Sequence, residues 1–133
     1  PDSCDELNII EEAANYGWPL ARVSSEGCDR ADGVQAIHYF ATDGKEAHET
    51  LSTVGPSSLV YPEGGFGDLD GPGLVVCEVN TGRLVYLELN AGGEKVVAEE
   101  LLAENCFTDV IEVDGGDHLV YAAIDGIYRL SAN

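Results

Sequence analysis

Leu74-Val75-Val76, a turn at Asn80-Thr81-Gly82 and then Arg83-Leu84-Val85-Tyr86-Leu87 form the stretch that decides the fold, because the pattern returns further along the chain. Leu119-Val120-Tyr121, a turn at Asp125-Gly126 and then Ile127-Tyr128-Arg129-Leu130 repeat it, and Leu119 lies 45 residues after Leu74. Two short apolar runs joined by a turn that carries glycine read as an antiparallel hairpin. Four short strands in about 45 residues is the period of a β-propeller blade.

Working outward, strands are expected at Ser57–Tyr61, Gly73–Val79, Arg83–Leu89 and Lys95–Leu101, a complete blade over residues 56–102. A second, incomplete blade over 107–133 would hold Thr108–Val113, His118–Ile124 and Gly126–Leu130. Upstream, Asp5–Ile10 and Val34–Phe40 read as strands, so residues 1–55 are expected to hold the end of one blade, a loop and a partial blade. Asn90-Ala91-Gly92-Gly93 and Asp114-Gly115-Gly116-Asp117 mark further turns. The fold class is therefore all-β, a single domain made of part of a propeller with two to three blades. An ordinary β-sandwich with a chance repeat is the competing reading. A blade lacking its fourth strand leaves backbone N–H and C=O groups unpaired. That predicts either a homo-oligomer or pairing with a missing propeller half.

The chain has 133 residues, with 25 Asp and Glu against 6 Lys and Arg, a formal net charge of −19. Such a field repels polyanions and excludes nucleic acid and anionic membranes as electrostatic partners. The acids are spread along the chain and read as a solvated surface, which also suits a high-salt habitat, where screening shortens self-repulsion. Hydrophobic residues make up 44%, enough for a packed core. No run of 18 apolar residues exists, so no membrane-spanning helix is expected.

The sequence opens Pro1-Asp2-Ser3-Cys4-Asp5, without a start residue or a signal peptide, and is expected to be cut from something longer. Cys4, Cys28, Cys77 and Cys106 form no C-x-x-C pair and lack a histidine at zinc spacing. Cys77, inside Leu74-Val75-Val76-Cys77, reads as a buried free thiol. Cys4 and Cys28 sit in polar segments and would form a disulfide in an exported protein. Asp68-Leu69-Asp70-Gly71 lacks the remaining acids of an EF-hand loop and reads as a turn. Gly64-Gly65-Phe66-Gly67 has no following Lys or Ser/Thr, which excludes a phosphate loop.

Asp5-Glu6-Leu7-Asn8 followed by Asn15-Tyr16-Gly17-Trp18-Pro19 resembles the D-E-[LI]-N … N-Y-G-W-P signature of the soluble quinoprotein glucose/sorbosone dehydrogenase family. Gly55-Pro56-Ser57-Ser58-Leu59, Gly73-Leu74-Val75-Val76 and Gly82-Arg83-Leu84 resemble its late blades, in order. Phe107-Thr108-Asp109-Val110, His118-Leu119-Val120-Tyr121 and Gly126-Ile127-Tyr128-Arg129-Leu130 resemble its last blade. The resemblance implies a six-bladed propeller of which this chain is the C-terminal portion, an extracellular or periplasmic location, and oxidation of aldose sugars at the anomeric carbon. The family uses pyrroloquinoline quinone (PQQ) with calcium and a histidine base from an early blade. His38, His48 and His118 fall outside that position, so no catalytic residue is expected on this chain.

The resemblance further implies a Lys in a late hairpin and two Arg in an R-x-R-D-V pattern to hold the quinone. Here Asn80 stands at the first position and Cys106 and Thr108 at the other two. Cations neutralise the carboxylates of such a cofactor, each contact being worth roughly 1.5–3 kcal/mol, so the chain is not expected to bind the quinone in the family's manner. The family's calcium ligands, a Glu carboxylate and a Tyr backbone carbonyl ten residues apart, fall on Glu6 and Tyr16. Trp18 and Tyr16 either stack on a sugar face or plug a blade junction. Two functions are therefore expected: a fragment or degenerate relative of a PQQ-dependent sugar dehydrogenase, or a non-enzymatic binding or scaffold module, the role the resemblance gives the Hedgehog-interacting relatives, here assembling through open blade edges.

Overall fold

A computed structural model of the chain describes residues 5–14, 16, 34–40, 54–62, 65–69 and 71–132. His48, Trp18, Asp70, Gly64, Cys4 and Cys28 lie outside these residues. The chain divides into two compact units, Pro1–Val54 and Gly55–Asn133.

In the first unit β1 (Asp5–Leu7) pairs antiparallel with β2 (His38–Phe40), with Glu6 opposite Tyr39. Leu7 and Phe40 are its buried side chains. β1 stops sooner than the expected Ile10. The Tyr16 hydroxyl donates to the Ile9 carbonyl at 2.8 Å and accepts from the Glu11 N–H, drawing this backbone into a loop.

The second unit is built from two antiparallel meanders. β3 (Pro56–Val60), β4 (Gly73–Glu78), β5 (Arg83–Leu89) and β6 (Val96–Glu104) follow one another in a four-stranded sheet. β7 (Val110–Val113), β8 (His118–Ala122) and β9 (Ile127–Ser131) do the same in a three-stranded sheet. Alternation sends Val75 and Cys77 of β4 to one face with Leu84 and Tyr86 of β5, and Val76, Val85 and Leu87 to the other. All are buried, so β4 and β5 are covered on both faces, as near-continuous apolar runs require. The first of these faces packs on Val110, Leu119 and Tyr121 of the other sheet, with Phe66 filling the gap, to make the core.

Turns carry the chain where glycine was expected to allow it. Gly82 closes the β4–β5 turn at φ +71°, its N–H donating to the Glu78 carbonyl at 2.8 Å. Gly73 is required by proximity, since a side chain there would run into the Tyr86 ring, whose hydroxyl donates to the Gly71 carbonyl at 3.0 Å. Asn90 organises the β5–β6 turn, its Oδ1 accepting from the Glu94 N–H at 2.8 Å. β6 runs on to Glu104, beyond the expected Leu101, because Ala103 and Glu104 pair with Leu84 and Arg83. β7 starts two residues later than the expected Thr108.

One expectation fails. Cys77 is not a free thiol: it is disulfide-bonded to Cys106, 29 residues on, with Cα atoms 5.5 Å apart. The Cys106 N–H donates to the Gly82 carbonyl at 2.9 Å, and this hooks the strand leaving β6 under the β4–β5 turn, beside Cys77. Among the described residues there is no free cysteine.

Candidate functional site

The β4–β5 turn, the segment after β6 and the start of β7 converge on one rim of the second unit. Val79 donates to the Gly55 carbonyl at 2.9 Å, and the Asn80 amide lies over Gly55. The Phe107 ring covers Gly82, while the Phe107 N–H donates to the Ala122 carbonyl at 3.0 Å and so ties the rim to the β8–β9 turn. Cys106 and Thr108, which lie 26 and 28 residues after Asn80 in the chain, are thus brought to the same end of the sheets as Asn80. Their chemistry differs. Asn80 is half-buried, Thr108 is exposed, and Cys106 is fully buried in its disulfide, with no atom to offer a ligand.

Charge at this rim is organised around residues that the sequence reading passed over. Glu78 is buried at 1% exposure and accepts from the Thr81 hydroxyl at 2.5 Å. Arg83 stands 3.6 Å from Glu78 and 2.6 Å from Glu99, so its guanidinium is already matched by two carboxylates. Asp109 accepts from the Ser58 hydroxyl at 2.6 Å and from the Val110 N–H at 2.9 Å, stitching β3 of one sheet to β7 of the other. The signal for Asp109 was local, an acid immediately before an apolar strand. Nothing in the sequence pointed to Ser58, 51 residues away. Beside Asp109 a shallow cavity of about 160 Å³ is lined by Ile111, Val120, Tyr121, Ala122 and Ile127, an apolar surface with one carboxylate at its edge.

The tyrosines near this core hold their protons more firmly than usual. Tyr86 is raised by burial, then by Glu88 and Tyr61, and Tyr121 by burial and then Asp125. Tyr128 is raised chiefly by its 3.1 Å hydrogen bond to Asp125. Among the described residues, no cation figures in the causes of these shifts.

In the first unit, Glu6 and Asn8 lie side by side after the start of β1, the Asn8 Nδ2 donating to Glu6 Oε2 at 3.3 Å. The Asn8 Oδ1 is buried and, among the described residues, accepts no hydrogen bond. Tyr16 is fastened to the same segment through its hydroxyl. Oxygen donors on a short loop are what a hard cation takes, and Glu6, Asn8 and the Tyr16 carbonyl fit calcium in kind. Among the described residues no three His, Cys, Asp or Glu side chains cluster, so such a site would lean on carbonyl oxygens. His38 sits edge-on to Phe40, ring centres 4.8 Å apart, and His118 starts β8 with its Nδ1 buried.

Consecutive antiparallel meanders, one face packed on the next, make an all-β arrangement consistent with a partial propeller-like fold. Within that class the particular family follows from sequence: the family model for glucose/sorbosone dehydrogenases matches residues 1–128, and the chain belongs to that family. No curated protein and no solved structure matches it. Among the described residues no helix is long and apolar enough to cross a membrane.

Proposed function

We propose that this chain is the C-terminal portion of a six-bladed sugar-dehydrogenase-type propeller in which the quinone-anchoring rim has become a structural crosslink. On this reading the chain does not itself support PQQ-dependent oxidation of aldoses. The observation that carries it is Cys106: the position where the resemblance expects an arginine is buried in a disulfide to Cys77. Asn80 and Thr108 bring no charge, Arg83 is matched by Glu78 and Glu99, and Asp109 adds a carboxylate at the same rim. A polycarboxylate would meet net repulsion there. These residues do not fit the quinone, and no catalytic step is assigned to it.

Calcium is a separate matter. Its support is the buried Asn8 Oδ1 beside Glu6, in the segment that Tyr16 closes. Glu6, Asn8 and the Tyr16 carbonyl would hold the ion, which would brace the Asp5–Tyr16 segment rather than take part in redox chemistry. The disulfide suits an oxidising compartment, in keeping with an extracellular or periplasmic location.

The experiment is to supply purified protein with PQQ, calcium, an aldose and a redox dye. No dye reduction is expected, while calcium alone should raise the unfolding temperature, and Asn8→Ala should diminish that rise. Quinone-dependent dye reduction would overturn the proposal. A second reading, a non-enzymatic module that assembles through an open blade edge, is favoured by β9, which carries no acid and leaves Ile127 77% exposed.

A further inference from the structure

β6 is unlike the other strands of its sheet. β3 is fastened to β7 through Ser58 and Asp109, and β4 and β5 are buried on both faces, whereas β6 pairs with β5 alone on the far side of the sheet. In a ring of blades the fourth strand lies outermost, so further blades add no strand beside it. Residues Val97–Leu101 are all exposed. The ladder with β5 is interrupted at each end of that stretch, where Val97 and Leu102 fall outside the register.

Negative charge gathers along this ladder. Glu100 lies opposite Tyr86 and Ala98 opposite Glu88, which sets Glu88 and Glu100 on one face as diagonal neighbours. Tyr86, between them, is raised by burial first and by Glu88 next, so the negative field is felt on this face. Glu94 lies in the turn before the strand and Glu104 at its end. Arg83 is matched by Glu78 and Glu99. Among the described residues neither Lys95 nor Glu88, Glu94, Glu100 or Glu104 enters an ion pair.

The two ends of the strand are held differently. Leu102 and Ala103 pack against the core, and Cys106, two residues beyond the strand, is disulfide-bonded to Cys77. The other end is held through the Asn90 turn, where the Asn90 N–H donates to the Lys95 carbonyl at 2.9 Å and the Asn90 Oδ1 accepts from the Glu94 N–H.

From this we infer that β6 is a strand gated by ionic strength. With Glu88, Glu94, Glu100 and Glu104 screened by salt it lies on β5. At low ionic strength their repulsion opens Val96–Leu101 from the Asn90 turn, and the opening stops at Leu102, where core packing and the crosslink hold the chain. The Debye length falls from about 30 Å at 0.01 M salt to about 3 Å at 1 M, and diagonal neighbours in a ladder stand roughly 7–8 Å apart, within the first length and beyond the second. The inference goes beyond the proposed function and is independent of any redox chemistry.

Hydrogen exchange of the full chain at fixed pH, from about 0.01 M to about 1 M sodium chloride, tests it. The β5-facing amides of Val96–Leu101 should exchange roughly fivefold faster or more at the low end, while those of Leu102–Glu104 and of β8 keep their rates. Glu88→Gln combined with Glu100→Gln should remove about half of that dependence or more. Glu112→Gln on β7 should leave it unchanged, with near-ultraviolet dichroism unaltered in both variants. Rates at Val96–Leu101 that ignore salt overturn the inference. So does an equal response of β6 and β8, which would make the charge act on the whole fold, and so does an opening that runs on through Leu102–Glu104. A dependence that survives Glu88→Gln with Glu100→Gln, or is lost in Glu112→Gln, overturns it as well, since salt would then act elsewhere than on this ladder.

Discussion

The four-stranded and the three-stranded sheets are two readings of one repeat in different surroundings. Val75, Cys77 and Leu84 on β4 and β5 are fully buried, whereas on the matching face of β7–β9 Ile111 and Ile127 stand in solvent and Val120 is half-exposed. Local sequence differs little, each sheet alternating apolar residues around a glycine turn. Burial therefore comes from the neighbour, and the first sheet is stabilised by its contact with the second in a way the second's outer face is not. Each fully buried aliphatic side chain contributes roughly 1.5–3 kcal/mol, a difference large enough to measure by substitution.

The sharpest test sets Leu84→Ala against Ile127→Ala. The first empties a site inside the core and should cost about 3 kcal/mol or more, while the second should stay within about 0.5 kcal/mol, both read from denaturant unfolding of dilute, monomeric protein. Equal costs would abolish the contrast between the sheets.

Next in size is the crosslink. Replacing Cys77 and Cys106 together by Ala should lower stability by roughly 3 kcal/mol, as opening a loop of this length implies, and reductant should lower the unfolding temperature of the parent protein toward that of the variant. A variant as stable as the parent would mean that packing alone holds the linker beneath the β4–β5 turn.

A smaller effect is expected at the seam between the sheets. Asp109→Ala removes the acceptor for Ser58 and for the Val110 N–H and should cost about 1 kcal/mol, with faster hydrogen exchange at Val110. Exchange unchanged at Val110 would show that β3 and β7 are joined by side-chain packing instead.

The smallest is a pH effect. Tyr86 and Tyr121 are raised by burial, so the folded chain keeps these protons after the unfolded chain has lost them. Their contribution is whole below the ordinary tyrosine value near 10 and declines as pH climbs through the raised values. Thermal unfolding should accordingly be flat with respect to these groups up to about pH 10 and fall beyond it, less steeply in Tyr121→Phe. A fall of the same slope in that variant would place the alkaline sensitivity elsewhere.

Much of the architecture was legible without coordinates. Alternating apolar residues mark strands, Asn and Gly mark the turns at 79–82, 90–95 and 114–117, and the 45-residue return of Leu74-Val75-Val76 announces repeated sheets. The D-E-L-N and N-Y-G-W-P segments carried the family resemblance, and the family match over residues 1–128 agrees with it. Strand ends were less legible, because a strand stops where its partner's hydrogen bonds stop: β6 follows β5 to Glu104, and β1 yields to the Tyr16 hydroxyl.

The sequence by itself determined the all-β class, the order of strands and turns and the family, because periodicity and turn chemistry act within a few residues of chain. Only the tertiary structure decided that Cys77 pairs with Cys106, that Ser58 meets Asp109, and that Arg83 is matched by Glu78 and Glu99. Those outcomes depend on how separate elements pack, and residues tens of positions apart carry no local mark of the neighbour they will find.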